Sequence, residues 1–348
     1  MGIARRVWPL SRLAAWQDRV DATDKQLRKE LRSVTARLGD VERQLQDTTL
    51  RAQRAERFAD QMRLSAQMDA RQHDAVARLP HLLNESRIRQ HVERAIAAAP
   101  LCDDPFEHVV VNDLLPADVY ELVAEARPPE PFFDPRDPAK QDLRMPISVG
   151  PRLMTEVWRF VDEVLAMQMI RPAALAKFDE PLRRYIHEVF GEGMQQQVRA
   201  LPPSTSSGRL ALRKPGYFLG PHRDPKRSML TCLIYLATPG EGEEYGTQLF
   251  RVRNDTEANY KQTYFPEQAG ATCELVKTVP FKANSALIFL NSRGAHGAQI
   301  PKDAAPIDRY TYQFYIAPDT DALGALIRTL PKERRAMWAN KASLDSME

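Results

Sequence analysis

The stretch that decides the fold is Leu212-Arg-Lys-Pro-Gly-Tyr-Phe-Leu-Gly-Pro-His-Arg-Asp-Pro225, in which His222 and Asp224 stand one residue apart. In an extended chain, side chains at positions i and i+2 point to the same side. The imidazole and the carboxylate therefore converge and form two ligands of a possible metal site. The candidate for the third ligand is His296, in Asn291-Ser-Arg-Gly-Ala-His-Gly-Ala298.

A His-x-Asp pair alone is also typical of a surface loop with polar tips, so the neighbouring sequence matters. Three apolar or aromatic runs flank the candidate ligands and read as buried strands: Ser228–Leu236, Ser285–Leu290 and Arg309–Ile316. Arg309 begins the last run, and a guanidinium there can bind a carboxylate through two parallel hydrogen bonds. Two histidines and one carboxylate on one face of a metal, with the other face open, are typical of non-haem Fe(II) oxygenases.

This region resembles the catalytic domain of Fe(II)- and 2-oxoglutarate-dependent dioxygenases, in particular the prolyl-4-hydroxylase-like branch. The resemblance covers about residues 208 to 318. It is carried by five motifs, namely His222-x-Asp224, the Thr231–Leu236 strand, the Gly246–Phe250 strand, His296 and Arg309-Tyr310.

The resemblance implies an α+β fold built on a double-stranded β-helix, or jelly roll, with flanking helices. It implies that His222, Asp224 and His296 hold Fe(II), and that Arg309, helped by Tyr235, binds the distal carboxylate of 2-oxoglutarate. With O2 as the other reactant, the implied activity is hydroxylation of an unactivated C–H bond.

Composition narrows the class of protein. The chain has 348 residues, of which 43% are hydrophobic and 27% charged, as in ordinary soluble proteins. A net charge of +3 gives no reason to expect nucleic-acid binding. No apolar run is long enough for stable membrane insertion. Three scattered cysteines suggest no disulfide framework and predict a cytoplasmic protein.

Residues 10 to 76 carry a second pattern, in which apolar residues alternate spacings of four and three. It is clearest at Leu27, Leu31, Val34, Leu38, Val41 and Leu45. This is the a/d seam of a coiled coil, and an Arg37–Glu42 contact would be attractive between parallel chains. The pattern predicts a homo-oligomer formed through an N-terminal coiled-coil helix. The alternative is a long helix that folds back on its own catalytic domain.

These patterns predict four regions: a coiled-coil helix at 1–79, a helical connector at 80–103, a dioxygenase domain at 104–318 with its jelly-roll core at 208–318, and a C-terminal helix at 319–348. Pro80 and Pro100 are expected to bracket one helix, His81–Ala99. The C-terminal helix is expected to run from Ala322 to Trp338.

The substrate remains open, with a small molecule or glycan favoured over a protein. The alternatives are a protein hydroxylase that acts on a prolyl or other side chain, and a scaffold without catalysis. Four basic residues close in sequence to the ligands could bind an anionic substrate or be simply solvated, namely Arg213, Lys214, Arg223 and Arg293. Residues 251–273 are expected to form a surface insertion whose Tyr260, Tyr264 and Phe265 could contact substrate.

Overall fold

The computed structural model describes residues 10–134, 137–204 and 208–339, with side chains from residue 14 onward. Contacts divide the chain into two units, the first ending at Asp60 and the second beginning at Gln61. The nine residues from 340 to 348, which belong to the predicted C-terminal region, lie outside the described residues.

The described residues of the first unit, 10 to 60, belong to one long helix, α1 (Leu10–Arg71). The predicted helix is thus confirmed. Its apolar stripe is exposed to solvent, since the side chains from Leu27 to Leu45 that define the seam are 57% to 67% exposed. The packing of this stripe against another helix stays a prediction.

The second unit contains nine further α-helices, counted over the described residues. They are α2 (His73–Leu82), α3 (Glu85–Ala98), α4 (Ala117–Glu125), α5 (Arg152–Arg159), α6 (Arg171–Lys177), α7 (Asp179–Phe190), α8 (Gln195–Arg199), α9 (Thr320–Thr329) and α10 (Lys332–Ala336). A π-helical segment, Phe160–Ile170, joins α5 to α6, and short 3₁₀ turns lie at Glu130–Phe132, Glu243–Tyr245 and Glu267–Ala269.

Two helix boundaries differ from the prediction. Pro80 lies inside α2, and the next helix begins after Asn84, whose side chain accepts a hydrogen bond from the Arg87 amide and so caps α3. The predicted helix from Ala322 to Trp338 is wrong as a single element. Pro331 separates α9 from α10, because a proline ring is incompatible with the middle of a helix.

Eleven strands within the described residues form two antiparallel sheets. They are β1 (Leu101–Cys102), β2 (His108–Asn112), β3 (Lys140–Arg144), β4 (Arg209–Arg213), β5 (Phe218–His222), β6 (Leu230–Tyr235), β7 (Thr247–Arg253), β8 (Thr272–Val279), β9 (Ser285–Leu290), β10 (Ala295–Gln299) and β11 (Arg309–Ile316). The larger sheet has the order β1-β2-β9-β6-β11-β4-β3, and the smaller has β5-β10-β7-β8.

The side chains of β6 point alternately to its two faces, and their contacts show how the sheets are packed. Leu233 and Tyr235 belong to an apolar cluster with Leu249 of the smaller sheet, so the two sheets face each other. Cys232 and Ile234 point the other way, into the larger core shared with the helices. The predicted α+β class with antiparallel sheets is confirmed, and the two facing sheets have the layout of a jelly roll.

Every inferred metal ligand lies on or beside the smaller sheet. β5 and β10 are neighbours there, and His222 at the end of β5 is the direct cross-strand partner of His296 in β10. On the larger sheet, β11 pairs with β4 on one side and with β6 on the other. These three strands contribute the opposite wall of the site.

Candidate active site

His222, Asp224 and His296 come together between the sheets, as the sequence predicts. The two imidazole rings have centroids 4.1 Å apart, and His296 Nε2 lies 3.8 Å from Asp224 Oδ2. One ligand atom from each residue lies within 4.8 Å of the others, and all three side chains are buried. Within the described part of the chain, this is the one group of three such residues that could hold a metal ion.

Neighbouring side chains fix the orientation of the ligands. Thr231 Oγ1 donates a hydrogen bond to Asp224 Oδ2 at 2.8 Å, and the Tyr315 hydroxyl lies 3.3 Å from Asp224 Oδ1. His222 Nδ1 is 3.0 Å from the Gly220 carbonyl oxygen. Because that nitrogen must carry a proton to donate, the lone pair of His222 Nε2 is free for a metal.

Burial keeps both imidazoles neutral. It lowers the pKa of His222, although the Asp224 carboxylate opposes this effect. It lowers the pKa of His296 further, and the neighbouring His222 acts in the same direction. A metal binds only the neutral imidazole, so this environment favours coordination at neutral pH.

The donor set fits a divalent transition metal. Two neutral imidazoles and one carboxylate leave part of the coordination sphere to other molecules, as in non-haem Fe(II) sites. Among the described residues, Asp224 accepts hydrogen bonds from hydroxyl groups but has no cationic side chain in direct contact. Burying this carboxylate beside two imidazoles is energetically costly unless a bound cation compensates its charge.

A cavity of about 90 Å³ extends from the two histidines to Arg309. Arg309 is 4% exposed, and its Nε donates to the Tyr245 carbonyl oxygen at 2.7 Å. Its other nitrogens lie 3.3 Å from Thr311 Oγ1 and 3.4 Å from Thr247 Oγ1. Over the described residues it makes no ion pair. A buried guanidinium without a counter-charge is costly, and an anionic ligand would provide one.

Tyr235 lies beside this guanidinium, with its ring centroid 5.7 Å from the Arg309 Cζ. Its hydroxyl donates to Thr247 Oγ1 at 2.7 Å, and its side chain is fully buried. Thr247, rather than Tyr235, forms the cavity wall. The Thr247 oxygen accepts from both Tyr235 and Arg309, so its own proton is available to a ligand.

Thr247 and Tyr217 are two cavity residues that the sequence did not identify. Tyr217 is 6% exposed, and among the described residues its hydroxyl has no hydrogen-bond partner. Both were within reach of sequence analysis. Tyr217 belongs to the same stretch as His222, and Thr247 lies in the predicted Gly246–Phe250 strand. The direction of its side chain, however, depends on the register of that strand.

The four basic residues near the ligands do not form an open cationic surface, because each is paired with a carboxylate. Arg213 binds Asp142 at 2.7 Å, Lys214 binds Glu130 at 2.5 Å, Arg223 binds Asp255 at 2.7 Å and also Glu257, and Arg293 lies 3.5 Å from Glu188. The interpretation of these four as free charges for a substrate is therefore not supported.

The segment between β7 and β8 packs on the ligand loop. Phe265 stacks on the His222 ring with centroids 5.7 Å apart. Tyr264 pairs with Arg223 through backbone hydrogen bonds of 2.8 and 2.9 Å, and its ring lies 5.4 Å from the Arg223 guanidinium carbon. Tyr264 and Phe265 thus contact the loop that carries His222 and Asp224, and their contact with substrate stays a prediction.

No protein-family model matches the chain, and no curated protein matches it in sequence. Solved structures with a similar fold include a prolyl-4-hydroxylase from Pseudomonas putida, at 18% identity over 65% of this chain and 97% of that chain, with a TM-score of 0.35. Another is a 2OG-Fe(II) oxygenase family oxidoreductase from Burkholderia pseudomallei, at 9% identity over 60% and 84%, with a TM-score of 0.36.

A third is HygX from Streptomyces hygroscopicus with nickel and 2-oxoglutarate bound, at 15% identity over 61% of this chain and 83% of that chain, with a TM-score of 0.34. The solved structures that this chain resembles thus include prolyl-4-hydroxylases and 2OG-Fe(II) oxygenases. Since the identities and TM-scores are low, the assignment of function rests on the residues of the site.

Proposed function

We propose that this protein is an Fe(II)- and 2-oxoglutarate-dependent dioxygenase that hydroxylates an unactivated C–H bond. The observation that carries the proposal is the buried cluster of His222, Asp224 and His296 at one end of a cavity whose other end holds the buried Arg309. A dicarboxylate that chelates a metal through one end needs a cationic partner for its other carboxylate, and this cavity offers both.

The roles of the residues follow from their contacts. His222, Asp224 and His296 would hold Fe(II), which with 2-oxoglutarate and O2 supplies oxidation of the C–H bond. Arg309 would bind the distal carboxylate of 2-oxoglutarate, and the Thr247 and Tyr217 hydroxyls would donate to it. Tyr235 would contribute by orienting Thr247 and by packing against Arg309. Leu219 and Leu233 line the cavity and would limit the access of water to it.

Metal content tests the metal site. We expect one tightly bound divalent metal per chain after equilibration with Fe(II) without oxygen and dialysis. Asp224→Ala removes the anionic ligand, and the double variant His222→Ala/His296→Ala removes both imidazoles. Both should lose tight binding, whereas Asp303→Ala, an exposed residue outside the cluster, should keep it. Undiminished metal in the double variant would contradict the assignment.

For the substrate we favour a small molecule or a glycan. The cavity beside the metal is small, with a volume of about 90 Å³, and suits a compact group. A single protein side chain is the alternative occupant. Succinate formation from 2-oxoglutarate, measured with the small-molecule and the protein fractions of a cell extract, separates the two. Stimulation by the protein fraction alone would contradict our preference.

We also propose that the protein forms a homo-oligomer through α1. The exposed seam from Leu27 to Leu45 supports this, because a continuous apolar stripe on a long helix is unfavourable in water. None of the described helices is long and apolar enough to cross a membrane.

A further inference from the structure

We propose that the substrate oxidised at this site carries an anionic group, a carboxylate or a phosphate, which binds to Arg209. This inference rests on the proposed function, because it concerns the charge that is left in the cavity once metal and 2-oxoglutarate are bound.

Arg209 faces the cavity from β4 at the level of the metal ligands. It is the cross-strand partner of Gln313, and both residues line the cavity with His222 and His296. Arg309 is the partner of Arg213, four positions along the same strand. Four residues of a strand span about 13 Å. The two arginines therefore enter the cavity at different levels, and each can hold a separate anionic group.

The charge of Arg209 is only weakly compensated. Its Nε and Nη2 donate to one neutral acceptor, Gln313 Oε1, at 3.0 and 2.6 Å. The nearest carboxylate, that of Asp142, lies 3.8 Å from Arg209 Nη1 and is bound more closely by Arg213, at 2.7 Å. With 38% of its side chain exposed, Arg209 stands at the mouth of the cavity, where an incoming molecule can reach it.

Lys140 adds a further positive charge to the cavity, at the level of Arg213, which is its cross-strand partner. It lines the same cavity from β3 and is exposed, and its ammonium group has no hydrogen bond or ion pair with any described residue. The described residues that line the cavity include four cationic side chains, Lys140, Arg209, Arg213 and Arg309, and no carboxylate.

The bound cofactors would leave two of these charges unmatched. Asp142 compensates Arg213, and the distal carboxylate of 2-oxoglutarate would compensate Arg309. Asp224 and the second carboxylate of 2-oxoglutarate would balance a divalent metal. Arg209 and Lys140 remain, so the cavity that meets the substrate is positively charged. Such a cavity attracts anions and disfavours cationic or purely apolar substrates.

The test uses the full chain loaded with Mn(II) and 2-oxoglutarate, and two probes, inorganic phosphate and acetate. Bound Mn(II) accelerates nuclear relaxation of a probe that binds nearby, so ³¹P relaxation reports phosphate and methyl-proton relaxation reports acetate. We expect a saturable effect for at least one probe, and the stronger probe indicates whether the group is phosphate or carboxylate.

Substitutions separate binding at Arg209 from direct ligation to the metal. Arg209→Gln should raise the dissociation constant of the probe about tenfold, because a charge-assisted hydrogen bond is lost. Arg209→Lys should retain part of the affinity. Lys140→Gln removes a charge at the Arg213 end of the cavity and should cost less than Arg209→Gln. Arg253→Gln, a matched change on β7, should behave as the parent.

The proposal would be overturned if a probe bound Arg209→Gln as tightly as the parent protein. It would also be overturned if neither probe showed a saturable relaxation effect in the parent protein. Titration of 2-oxoglutarate into anaerobic Fe(II) protein must be unaffected by Arg209→Gln. Loss of 2-oxoglutarate binding in that variant would place Arg209 in the cosubstrate site and also overturn the proposal. If the parent protein binds neither Mn(II) nor 2-oxoglutarate, the proposed function is refuted instead. Calorimetric titration of phosphate into the metal-free parent and into Arg209→Gln would then show whether Arg209 binds an anion.

Discussion

His222 and His296 are direct cross-strand partners whose burial favours the neutral imidazole. This preference lowers the stability of the folded protein when the pH falls. Their pKa values in the folded protein lie below the ordinary value of 6.5. Below that pH the unfolded chain binds protons that the folded chain does not, so the free energy of unfolding decreases as the pH falls through 6.5.

We therefore expect the metal-free protein to lose on the order of 1 kcal/mol of stability or more between pH 7.5 and pH 5.5 through these two residues. Urea unfolding at both pH values measures the loss. The double variant His222→Gln/His296→Gln should lose less stability over the same interval. An equal loss in the variant would show that other groups cause the pH dependence.

Thr231 orients the one anionic ligand, and its hydroxyl is itself held by Asn291 Nδ2 at 3.0 Å. Thr231→Val keeps the shape of the side chain and removes the donor to Asp224. We expect Fe(II) or Zn²⁺ affinity to fall about tenfold, as is usual when an outer hydrogen bond to a metal ligand is lost. Competition with a metal-binding dye measures the affinity. Thr278→Val, on the exposed face of β8, is the matched control and should have no effect.

At the scale of elements, the loop that carries His222 and Asp224 is held by the segment between β7 and β8. Arg223, 2% exposed, donates to Asp255 and Glu257 of that segment and to the carbonyl oxygens of Gly294 and Arg293. Arg223 thus connects the segment that carries His222 and Asp224 to the turn that precedes His296. Because its side chain is absent from the described lining of the metal cavity, we expect its role to be structural.

Arg223→Gln should reduce the free energy of unfolding by about 3 kcal/mol, because it leaves the buried Glu257 carboxylate with one cationic partner fewer. Chemical denaturation measures the change. Arg253→Gln breaks an exposed pair with Glu274 and should cost less than about 1 kcal/mol. Equal effects of the two substitutions would contradict the clamping role of Arg223.

The sequence predicted the bounds of two strands, β9 and β11, that are buried on both faces. Their continuous apolar runs leave little choice of structure. Local spacing also predicted that His222 and Asp224 converge, and the structure brings both together with His296. The partners of Arg213, Lys214 and Arg223 did not, since Asp142, Glu130 and Glu257 come from distant segments and are brought near only by strand pairing and loop packing. For the same reason, the position of Arg209 in the cavity became apparent only from the pairing of β4 with β11, which brings Arg209 beside Gln313.

At the scale of the whole molecule, the exposed stripe of α1 predicts self-association. Leu31→Asp/Leu38→Asp places two charges in the seam and should dissociate the oligomer, as measured by sedimentation or light scattering. Ser33→Asp/Ala36→Asp adds the same charge to the outer face of the helix and should leave the oligomer intact. A parent protein that is monomeric at micromolar concentration would contradict the proposed oligomer.

The central claim is that one cavity holds a metal at His222, Asp224 and His296 and a dicarboxylate at Arg309. Its most direct test is titration of 2-oxoglutarate into the anaerobic Fe(II) protein, followed by the metal-to-ligand charge-transfer absorbance. We predict a saturable band in the parent. In Arg309→Ala the dissociation constant should rise roughly thirty-fold or more, since truncating one partner of a buried charge pair costs on the order of 2–5 kcal/mol. Tyr235→Phe should cost less, about 1 kcal/mol. Metal binding should be unchanged in both variants. Absence of the band in the metal-loaded parent, or parent-like affinity in Arg309→Ala, would contradict the account.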